Sequence, residues 1–338
     1  MPKQTIFVSE ISYAKGKEVF TRLSGTTDFI FTPVAEDEPT LSDLIKKQNV
    51  RGFIADIYPY TGALYSALPA GAAISRFGVG HDSIDKDKAT AAGIHVANTP
   101  GVLNTSVAEH AMWLLGSLAR NVASLDRSMR SEKWEPKRGI EVHGKTLAIL
   151  GFGRIAQDIC RKAHHGFGMN VIGFDQFDQD TFCKFAKVET FEEFQREVPV
   201  QRITTDLEDA VANADFVLMM MAVTPETVGM ANAELFSKMR NDAYFLNTAR
   251  GALVNEDDLF DALTNGIIAG AALDVFMHEP YVPQSPEKDL RTLGNIVITP
   301  HVASNTAETN AAMAEASAKN IMTILSEGPD ACPNIVNR

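Results

Sequence analysis

Four side chains that could perform acid–base or anion-binding chemistry follow apolar runs in the second half of the chain: Arg250, Asp274, Glu279 and His301. An arginine pairs with a carboxylate in forked geometry and polarises a neighbouring carbonyl. A histidine gives a proton to a carbonyl oxygen or takes it back from an alcohol, and an acid beside it orients the imidazole and favours its charged form. Each residue alone is more often a surface or core residue, but together they suit hydride transfer on a 2-oxo acid.

A glycine-rich turn could bind the dinucleotide that such chemistry needs. The motif G-x-G-x-x-A runs from Gly151 to Ala156, after the apolar run 146–150 and before a helical pattern. Gly151 permits the tight turn, Gly153 lets the backbone approach a pyrophosphate, and Ala156 keeps the helix close to the sheet. The N–H groups and dipole at the helix start attract phosphate. Asp175 ends the next predicted strand, where a carboxylate can bind a ribose diol. The alternative is a tight turn that binds nothing.

Alternating apolar and helical segments supply the elements that would position these residues. Strands are predicted at 146–150, 171–174, 216–221, 243–248, 268–275 and 296–299, and a closing helix at about 306–325. Continuous apolar runs are typical of parallel strands that are buried on both faces. Because the carboxyl ends of parallel strands lie at one edge of a sheet, we expect Arg250, Asp274, Glu279 and His301 to converge there.

The first hundred residues predict a smaller α/β unit with parallel strands. Its strands are predicted at 5–8, 28–31, 52–55, 73–77 and 95–97, and its helices at 16–23, 41–47, 61–68 and 87–92. The glycine-containing loop 76–85 either turns its N–H groups toward a ligand or is an ordinary connection between a strand and a helix. Residues 104–119 predict a strong helix, whereas 120–144 are predicted to be irregular. Within that stretch Trp134 is compatible with an interface anchor or with a local hydrophobic staple.

Composition excludes several classes of protein. The 338 residues suggest two domains, and 31 basic against 43 acidic side chains give a net charge of −12. Without a basic tract, nucleic acid and anionic membranes are unexpected partners. We identify no apolar run of membrane-spanning length and no signal peptide. The scattered Cys160, Cys183 and Cys332 favour a reducing compartment, and hence a cytoplasmic location. The spacing of Cys and His predicts no metal site.

The order of these motifs resembles the D-isomer-specific 2-hydroxyacid dehydrogenase family, which includes phosphoglycerate, glycerate and D-lactate dehydrogenases. The resemblance covers roughly residues 50–325. It rests on the segments 76–85, 98–110, 151–156 with Asp175, 246–256, 272–280 and 299–304.

The resemblance implies a role for each matching residue. Arg250, Glu279 and His301 would be catalytic, with Arg250 and His301 also contacting the substrate. Val79 and Gly80 would present N–H groups to the substrate carboxylate. The NAD site would comprise Gly151, Gly153, Arg154, Ile155, Asp175, Thr248, Ala249 and Asp274, with Asp274 near the nicotinamide amide.

The resemblance also implies the fold and assembly. A Rossmann-type domain with a doubly wound parallel sheet, residues 104–301, would be inserted into a smaller flavodoxin-like α/β lid domain, residues 1–103 and 302–338. The helix 104–119 and the Trp134 segment correspond to the region that forms a two-fold dimer in the family. We therefore expect a homodimer.

Two stretches depart from the family pattern. Met220 and Ala222 occupy the places of a usual His-x-Pro turn, which puts the local adenosine-side wall in doubt. The stretch 176–202 is longer than usual and is interpreted as an added surface excursion. Within it, Thr190–Glu193 has the form of a capping box and predicts a short helix.

The leading hypothesis is an NAD-dependent oxidoreductase acting on a D-2-hydroxy acid and its 2-oxo partner. One alternative is an enzyme similar to D-3-phosphoglycerate dehydrogenase. Another is a non-catalytic NAD(H)-sensing protein similar to the transcriptional corepressors that resemble this family. Formate dehydrogenases carry Gln where this chain has Glu279, which argues against that branch.

Charges at two positions predict the choice of cofactor and substrate. Asp175 places a negative charge where NADP would carry its 2′-phosphate, so NAD is expected to be preferred. The loop 56–61 begins with the carboxylate of Asp56 and contains no Arg or Lys. A substrate phosphate would face a like charge there, which predicts a non-phosphorylated acid. Alternatively, Asp56 points away and a distant Lys supplies the positive charge.

Overall fold

The computed structural model describes residues 3–337, and the chain divides into two compact units. One unit comprises Met1–Leu103 and Ser304–Arg338, and the other comprises Asn104–Ala303. Each contains one sheet whose paired strands run parallel, with helices between successive strands. The prediction of an α/β fold built on parallel sheets is confirmed.

The first unit is built on a five-stranded sheet of order β2-β1-β3-β4-β5, the flavodoxin-like order. Its strands are β1 (Gln4–Ser9), β2 (Phe29–Val34), β3 (Gly52–Ala55), β4 (Ala73–Arg76) and β5 (His95–Ala97). Its helices are α1 (Glu10–Lys15), α2 (Lys17–Thr26), α3 (Glu38–Gln48), α4 (Ala63–Ala67), α5 (Lys86–Ala91) and the C-terminal α14 (Ala307–Glu327). The buried Asn320 of α14 donates to the carbonyl of Asn98 at 2.7 Å, which ties the C-terminal helix to this sheet.

The second unit is built on a seven-stranded sheet of order β12-β11-β10-β9-β6-β7-β8. Its strands are β6 (Thr146–Leu150), β7 (Asn170–Phe174), β8 (Arg202–Thr204), β9 (Phe216–Met219), β10 (Tyr244–Asn247), β11 (Gly270–Leu273) and β12 (Ile296–Ile298). Its helices are α6 (Asn104–Arg120), α7 (Val122–Arg130), α8 (Arg154–Phe167), α9 (Gln179–Ala186), α10 (Phe191–Glu197), α11 (Leu207–Val211), α12 (Ala233–Lys238) and α13 (Glu256–Thr264). The nearly continuous apolar strands are buried because hydrophobic clusters pack on both faces of this sheet.

The strand order reverses between β6 and β9. The chain builds β7 and β8 on one side of β6 and then crosses to build β9 to β12 on the other. Open α/β sheets bind ligands at such a switch point, beyond the carboxyl ends of the strands. The glycine turn follows β6 at this point, and Arg250, Asp274 and His301 follow β10, β11 and β12 at the same edge.

Two local predictions differ from the structure. Residues 122–130, predicted to be irregular, form the helix α7, which sequence patterning missed because every one of its residues is partly exposed. The stretch 176–202 is only partly a surface excursion, because Phe182 and Phe194 of its two helices are buried against the core. Its predicted capping box is confirmed by reciprocal hydrogen bonds between Thr190 and Glu193.

Candidate active site

The glycine turn after β6 has the shape of a phosphate cradle. Gly151 has φ +93°, and a Cβ there would stand 2.8 Å from backbone atoms of Met220 and Met221. At Gly153, in contrast, no described residue other than its two chain neighbours has an atom within 4 Å of the place where a Cβ would stand. Among residues 3–337, no side chain caps the start of α8, whose first residue is Arg154. Backbone N–H groups and open space therefore meet at one place, which fits a pyrophosphate.

Asp175 lies immediately beside this turn. Its carboxylate accepts hydrogen bonds from the N–H of Phe152, at 2.8 Å, and of Phe177, at 3.3 Å. The residue follows β7 and is half-buried. The protein thus fixes a partly accessible carboxylate next to the phosphate cradle, and this arrangement fits an adenosine ribose.

The turn that carries Thr248, Ala249 and Arg250 is organised by Asn247. This fully buried side chain accepts from the N–H of Ala249 at 3.0 Å and donates to the carbonyl of Arg250 at 2.8 Å. Thr248 donates to the sulfur of Met220 at 3.2 Å, so one of the positions that depart from the family pattern contacts this turn. Sequence reasoning missed Asn247, although Asn two residues before a turn amide is a recognisable Asx-turn signal.

Glu279 and His301 form a close pair. Glu279 Oε2 lies 2.6 Å from His301 Nδ1, and both side chains keep about a quarter of their surface exposed. The other Glu279 oxygen accepts from the N–H of Phe276 at 3.0 Å. His301 has φ +52°, an uncommon left-handed conformation, and its N–H donates to the carbonyl of Asp274 at 2.7 Å. Residues 22 positions apart in sequence are thus placed for proton handling by the turns after β11 and β12.

The carboxylate of Asp274 points into the protein interior and is fully buried. It accepts hydrogen bonds from Thr299 Oγ1 (2.5 Å), Val302 N (2.9 Å) and Ala303 N (2.9 Å), and His110 Nε2 lies 3.4 Å away. Burial acts to raise the pKa of Asp274, but these contacts outweigh it and hold the pKa below its usual range. Asp274 therefore anchors the turn that carries His301. Sequence reasoning had not identified His110 and Thr299 as its partners.

Val79 and Gly80 belong to the other unit and follow β4. The carbonyl of Val79 accepts from the side chain of Asn98 at 2.8 Å. Neither N–H donates a hydrogen bond to any residue from 3 to 337.

The expectation that Asp56 presents a free negative charge to a substrate is wrong. Its side chain is nearly fully buried and accepts hydrogen bonds from Ser12 Oγ at 2.9 Å and Lys15 Nζ at 3.2 Å. Burial acts to raise the pKa of Asp56, but the charges of Arg76 and Lys15 outweigh it and lower the pKa. Asp56 lies more than 40 residues after Ser12 and Lys15 in the sequence, so no local pattern could predict this ion pair.

Comparison with known proteins identifies the family. Residues 112–303 match the family model described as D-isomer specific 2-hydroxyacid dehydrogenase, NAD binding domain, which covers more than half of the chain. The chain belongs to the D-isomer specific 2-hydroxyacid dehydrogenase family. It is an oxidoreductase that uses a nicotinamide cofactor, as predicted.

Individual members of the family show how far the similarity extends. A glyoxylate reductase of Korarchaeum cryptofilum is 36% identical over 286 residues, 83% of this chain and 80% of that protein. A D-3-phosphoglycerate dehydrogenase of Methanocaldococcus jannaschii is 36% identical over 266 residues, 78% of this chain and 47% of that protein. The crystal structure of an NADPH-dependent glyoxylate/hydroxypyruvate reductase from Sinorhizobium meliloti, in complex with NADP and malonate, is 26% identical with a TM-score of 0.81. That alignment covers 99% of this chain and 97% of the reductase.

Among residues 3–337, no cluster of three or more His, Cys, Asp or Glu side chains is arranged to hold a metal ion. No helix in the described part of the chain combines the length and apolar character needed to cross a membrane.

Proposed function

We propose that this dehydrogenase interconverts a non-phosphorylated 2-oxo acid and its D-2-hydroxy acid, with NAD(H) as the preferred cofactor. The observation that carries the proposal is the 2.6 Å contact between His301 and Glu279 at the sheet edge that also carries Arg250 and the glycine turn. The names of the similar glyoxylate reductases support a small acid without a phosphate.

His301 acts as the acid–base residue. In the reductive direction its imidazolium donates a proton to the carbonyl oxygen, and in the oxidative direction neutral imidazole accepts the alcohol proton. Glu279 holds the imidazole in one orientation through Nδ1. Arg250 pairs with the substrate carboxylate and polarises the carbonyl. We retain the prediction that Val79 and Gly80 donate N–H groups to that carboxylate.

The cofactor residues divide by the part of the dinucleotide that they suit. Gly151, Gly153 and the α8 residues Arg154 and Ile155 hold the pyrophosphate, and Asp175 binds the adenosine ribose. When bound, the nicotinamide supplies the hydride for carbonyl reduction.

The remaining predicted cofactor residues lie on the nicotinamide side of the site. Thr248 and Ala249, in the turn after β10, line that side. The carboxylate of Asp274 is buried, so this residue contributes to the cofactor site by anchoring the turn that carries His301.

Turnover with a panel of 2-oxo acids tests this proposal. Glyoxylate, hydroxypyruvate and pyruvate are each offered with NADH or NADPH, and cofactor absorbance is followed. We expect at least one acid to be reduced, with a higher kcat/KM for NADH than for NADPH. Equal or better efficiency with NADPH would contradict the role of the Asp175 charge, and no turnover with any acid would favour a binding protein.

A phosphorylated substrate is the second candidate, because Lys15 lies beside Asp56 and supplies the charge that loop 56–61 lacks. A D-3-phosphoglycerate dehydrogenase is among the similar proteins. Hydroxypyruvate and its phosphorylated form, compared at identical salt concentration, decide between the two. A higher kcat/KM for the phosphorylated compound, lost in Lys15→Met, would establish the second candidate.

The finer assignments of domains, assembly and location are also proposals. The unit 104–303 binds the cofactor, and the unit formed by 1–103 and 304–338 acts as the substrate-binding lid. We further propose a homodimer, since Trp113 and Trp134 are 72% and 83% exposed. The exposure of Trp134 supports an interface role over a local hydrophobic staple. Three buried thiols, Cys160, Cys183 and Cys332, support a cytoplasmic location.

A further inference from the structure

The loop after β11 that carries Glu279 is held in place by a second, fully enclosed carboxyl group. Two successive N–H groups of this loop donate to glutamate side chains. That of Phe276 reaches Glu279 itself, and that of Met277 reaches Glu256 Oε1 at 2.7 Å. The orientation of the Phe276–Met277 peptide therefore depends on Glu256, and Glu279 bonds to the N–H of the adjoining Val275–Phe276 peptide.

The same peptide lies directly against the turn that carries Arg250. A Cβ at Gly251 would overlap the carbonyl group of Phe276 and the nitrogen of Met277. Gly251 begins a short 3-10 helix (Gly251–Leu253), and Glu256 is the first residue of the helix that follows. The segment 251–256 thus contacts the Phe276–Met277 peptide twice. Gly251, at its start, packs closely against the peptide, and Glu256, at its end, accepts a hydrogen bond from it.

Glu256 occupies an environment that ordinary helix capping does not explain. An acid in the first helical turn interacts favourably with the helix dipole, but it does so from solvent. Glu256 is only 2% exposed, and within residues 3–337 its Oε2 has no hydrogen-bond partner. Burial raises the pKa of Glu256, and the negative charges of Asp257 and Glu279 act in the same direction. Burying a carboxyl group with one unbonded oxygen lowers the stability of the folded protein. The hydrogen bond from Met277 is the one specific contact of this carboxyl group that could give it a role.

We propose that Glu256 is a positioning residue for the Glu279–His301 pair: by fixing the Phe276–Met277 peptide, it holds Glu279 where Oε2 meets His301 Nδ1. This inference rests on the proposed function of that pair. Glu256 is enclosed by the protein, so its effect appears in proton handling and not in cofactor binding.

The main test replaces Glu256 by a side chain of similar volume without a carboxyl oxygen. We expect Glu256→Met to lower kcat about 10- to 100-fold, since small displacements of catalytic groups have effects of that order. The KM for NADH should change less than about twofold, and the pH at which reduction falls by half should decrease. Glu256→Gln keeps the acceptor for Met277 and should restore kcat to within about threefold of wild type.

Asp257→Ala is the matched control. Asp257 is the neighbouring first-turn acid of the same helix and contacts Ser285, so its loss weakens the helix start without touching Met277. If Glu256→Met and Asp257→Ala had the same kcat and the same pH profile, the positioning role would be excluded. Should Glu256→Met fail to fold, Glu256→Asp retains the charge but withdraws the acceptor by one methylene. Glu256→Asp should show the same decrease in kcat that is expected of Glu256→Met, and a wild-type kcat in Glu256→Asp would overturn the proposal.

Two measurements separate this inference from the proposed function. In a Glu279→Gln background, Glu256→Met should lower kcat by less than about twofold, because its effect is transmitted through Glu279. Full additivity would overturn the inference while leaving the dehydrogenase intact. The NMR titration of the His301 imidazole needs no turnover. Glu256→Met should shift the midpoint of this titration, and Glu256→Gln should not. An unchanged midpoint in both variants would also overturn the inference.

Discussion

At the scale of single residues, the roles proposed for His301 and Glu279 predict how the reaction responds to pH. In that proposal, reduction consumes a proton from the imidazolium and oxidation needs the neutral ring. Histidine changes charge between about pH 5 and 8, so the two directions should respond oppositely. We expect reduction of the 2-oxo acid to fall as pH rises and oxidation of the hydroxy acid to increase, measured as kcat/KM across that range.

Substitutions of the pair test its two members separately. Glu279→Gln removes the charged partner of the imidazole and should change both pH profiles. His301→Ala should lower kcat about 10²- to 10⁴-fold, the usual contribution of an acid–base group. His165→Ala, an exposed histidine on α8, is the control and should keep wild-type kcat. A loss smaller than about tenfold in His301→Ala would exclude the acid–base role.

At the scale of elements, the two glycines of the turn after β6 should fail in different ways. Gly151→Ala forces a residue with a side chain into positive φ, at a cost of about 1–2 kcal/mol, and against the backbone of Met220 and Met221. We expect a Tm at least about 3 °C lower. Gly153→Ala meets open space and should keep the wild-type Tm.

Cofactor affinity provides the complementary measurement for Gly153→Ala. A methyl group at position 153 occupies space that we assign to the pyrophosphate, so the Kd for NADH, measured by fluorescence, should increase at least about tenfold. Unchanged NADH affinity in a folded Gly153→Ala would show that the pyrophosphate lies elsewhere.

The turn that Asp274 anchors should confer a recognisable dependence of stability on pH. The folded state holds the pKa of Asp274 below its unfolded value of 3.8. The stabilisation is therefore present above pH 3.8 and is lost as pH falls through the folded value. Asp274→Asn should cost roughly 1–3 kcal/mol near neutral pH. The difference in Tm from wild type should shrink below pH 3.8.

An exposed aspartate provides the control for this experiment. Asp242 pairs with Arg240 at the surface, where an ion pair contributes about 0–1 kcal/mol. Asp242→Asn should stay within about 2 °C of wild type at every pH. A constant Tm difference for Asp274→Asn down to pH 2 would show that its effect is not due to ionisation.

At the scale of the whole molecule, α7 and the following segment offer an apolar surface to a partner. Val122, Leu125 and Met129 recur at helical spacing on α7, and Trp134 follows. The N–H of Ile140 donates to the carbonyl of Ala119 at 2.8 Å, which ties the end of this segment back to α6. We expect light scattering at micromolar concentration to give twice the monomer mass.

Substitution of the exposed tryptophans tests whether this surface mediates assembly. Each aromatic residue central to an interface contributes about 2 kcal/mol or more, so Trp134→Ser should weaken the dimer about 30-fold or more. Phe185→Ser, which removes an exposed aromatic residue of α9, should remain as dimeric as wild type. A monomeric wild-type protein, or equal dissociation of both variants, would contradict this interface.

The sequence by itself determined the sheet, the glycine turn after β6 and the position of Arg250, Glu279 and His301 after strands of one sheet. These features depend on local rules: apolar runs form buried strands, Gly at a strand end permits a tight turn, and parallel strands bring their carboxyl ends to one edge. Each could be inferred from a short window of residues, and the strand rule then brought distant windows together.

Only the tertiary structure decided which carboxylates remain accessible and which are enclosed. Asp274 accepts hydrogen bonds from residues 25 to 29 positions later, and Asp56 accepts them from Ser12 and Lys15, more than 40 positions earlier. Glu256 is enclosed as well, and one of its two oxygens accepts from the N–H of Met277. The sequence gives the same letter to a buried, bonded carboxylate and to an exposed one. The difference is the solvent and the donors around it, and these are set by packing between segments that are distant in the chain.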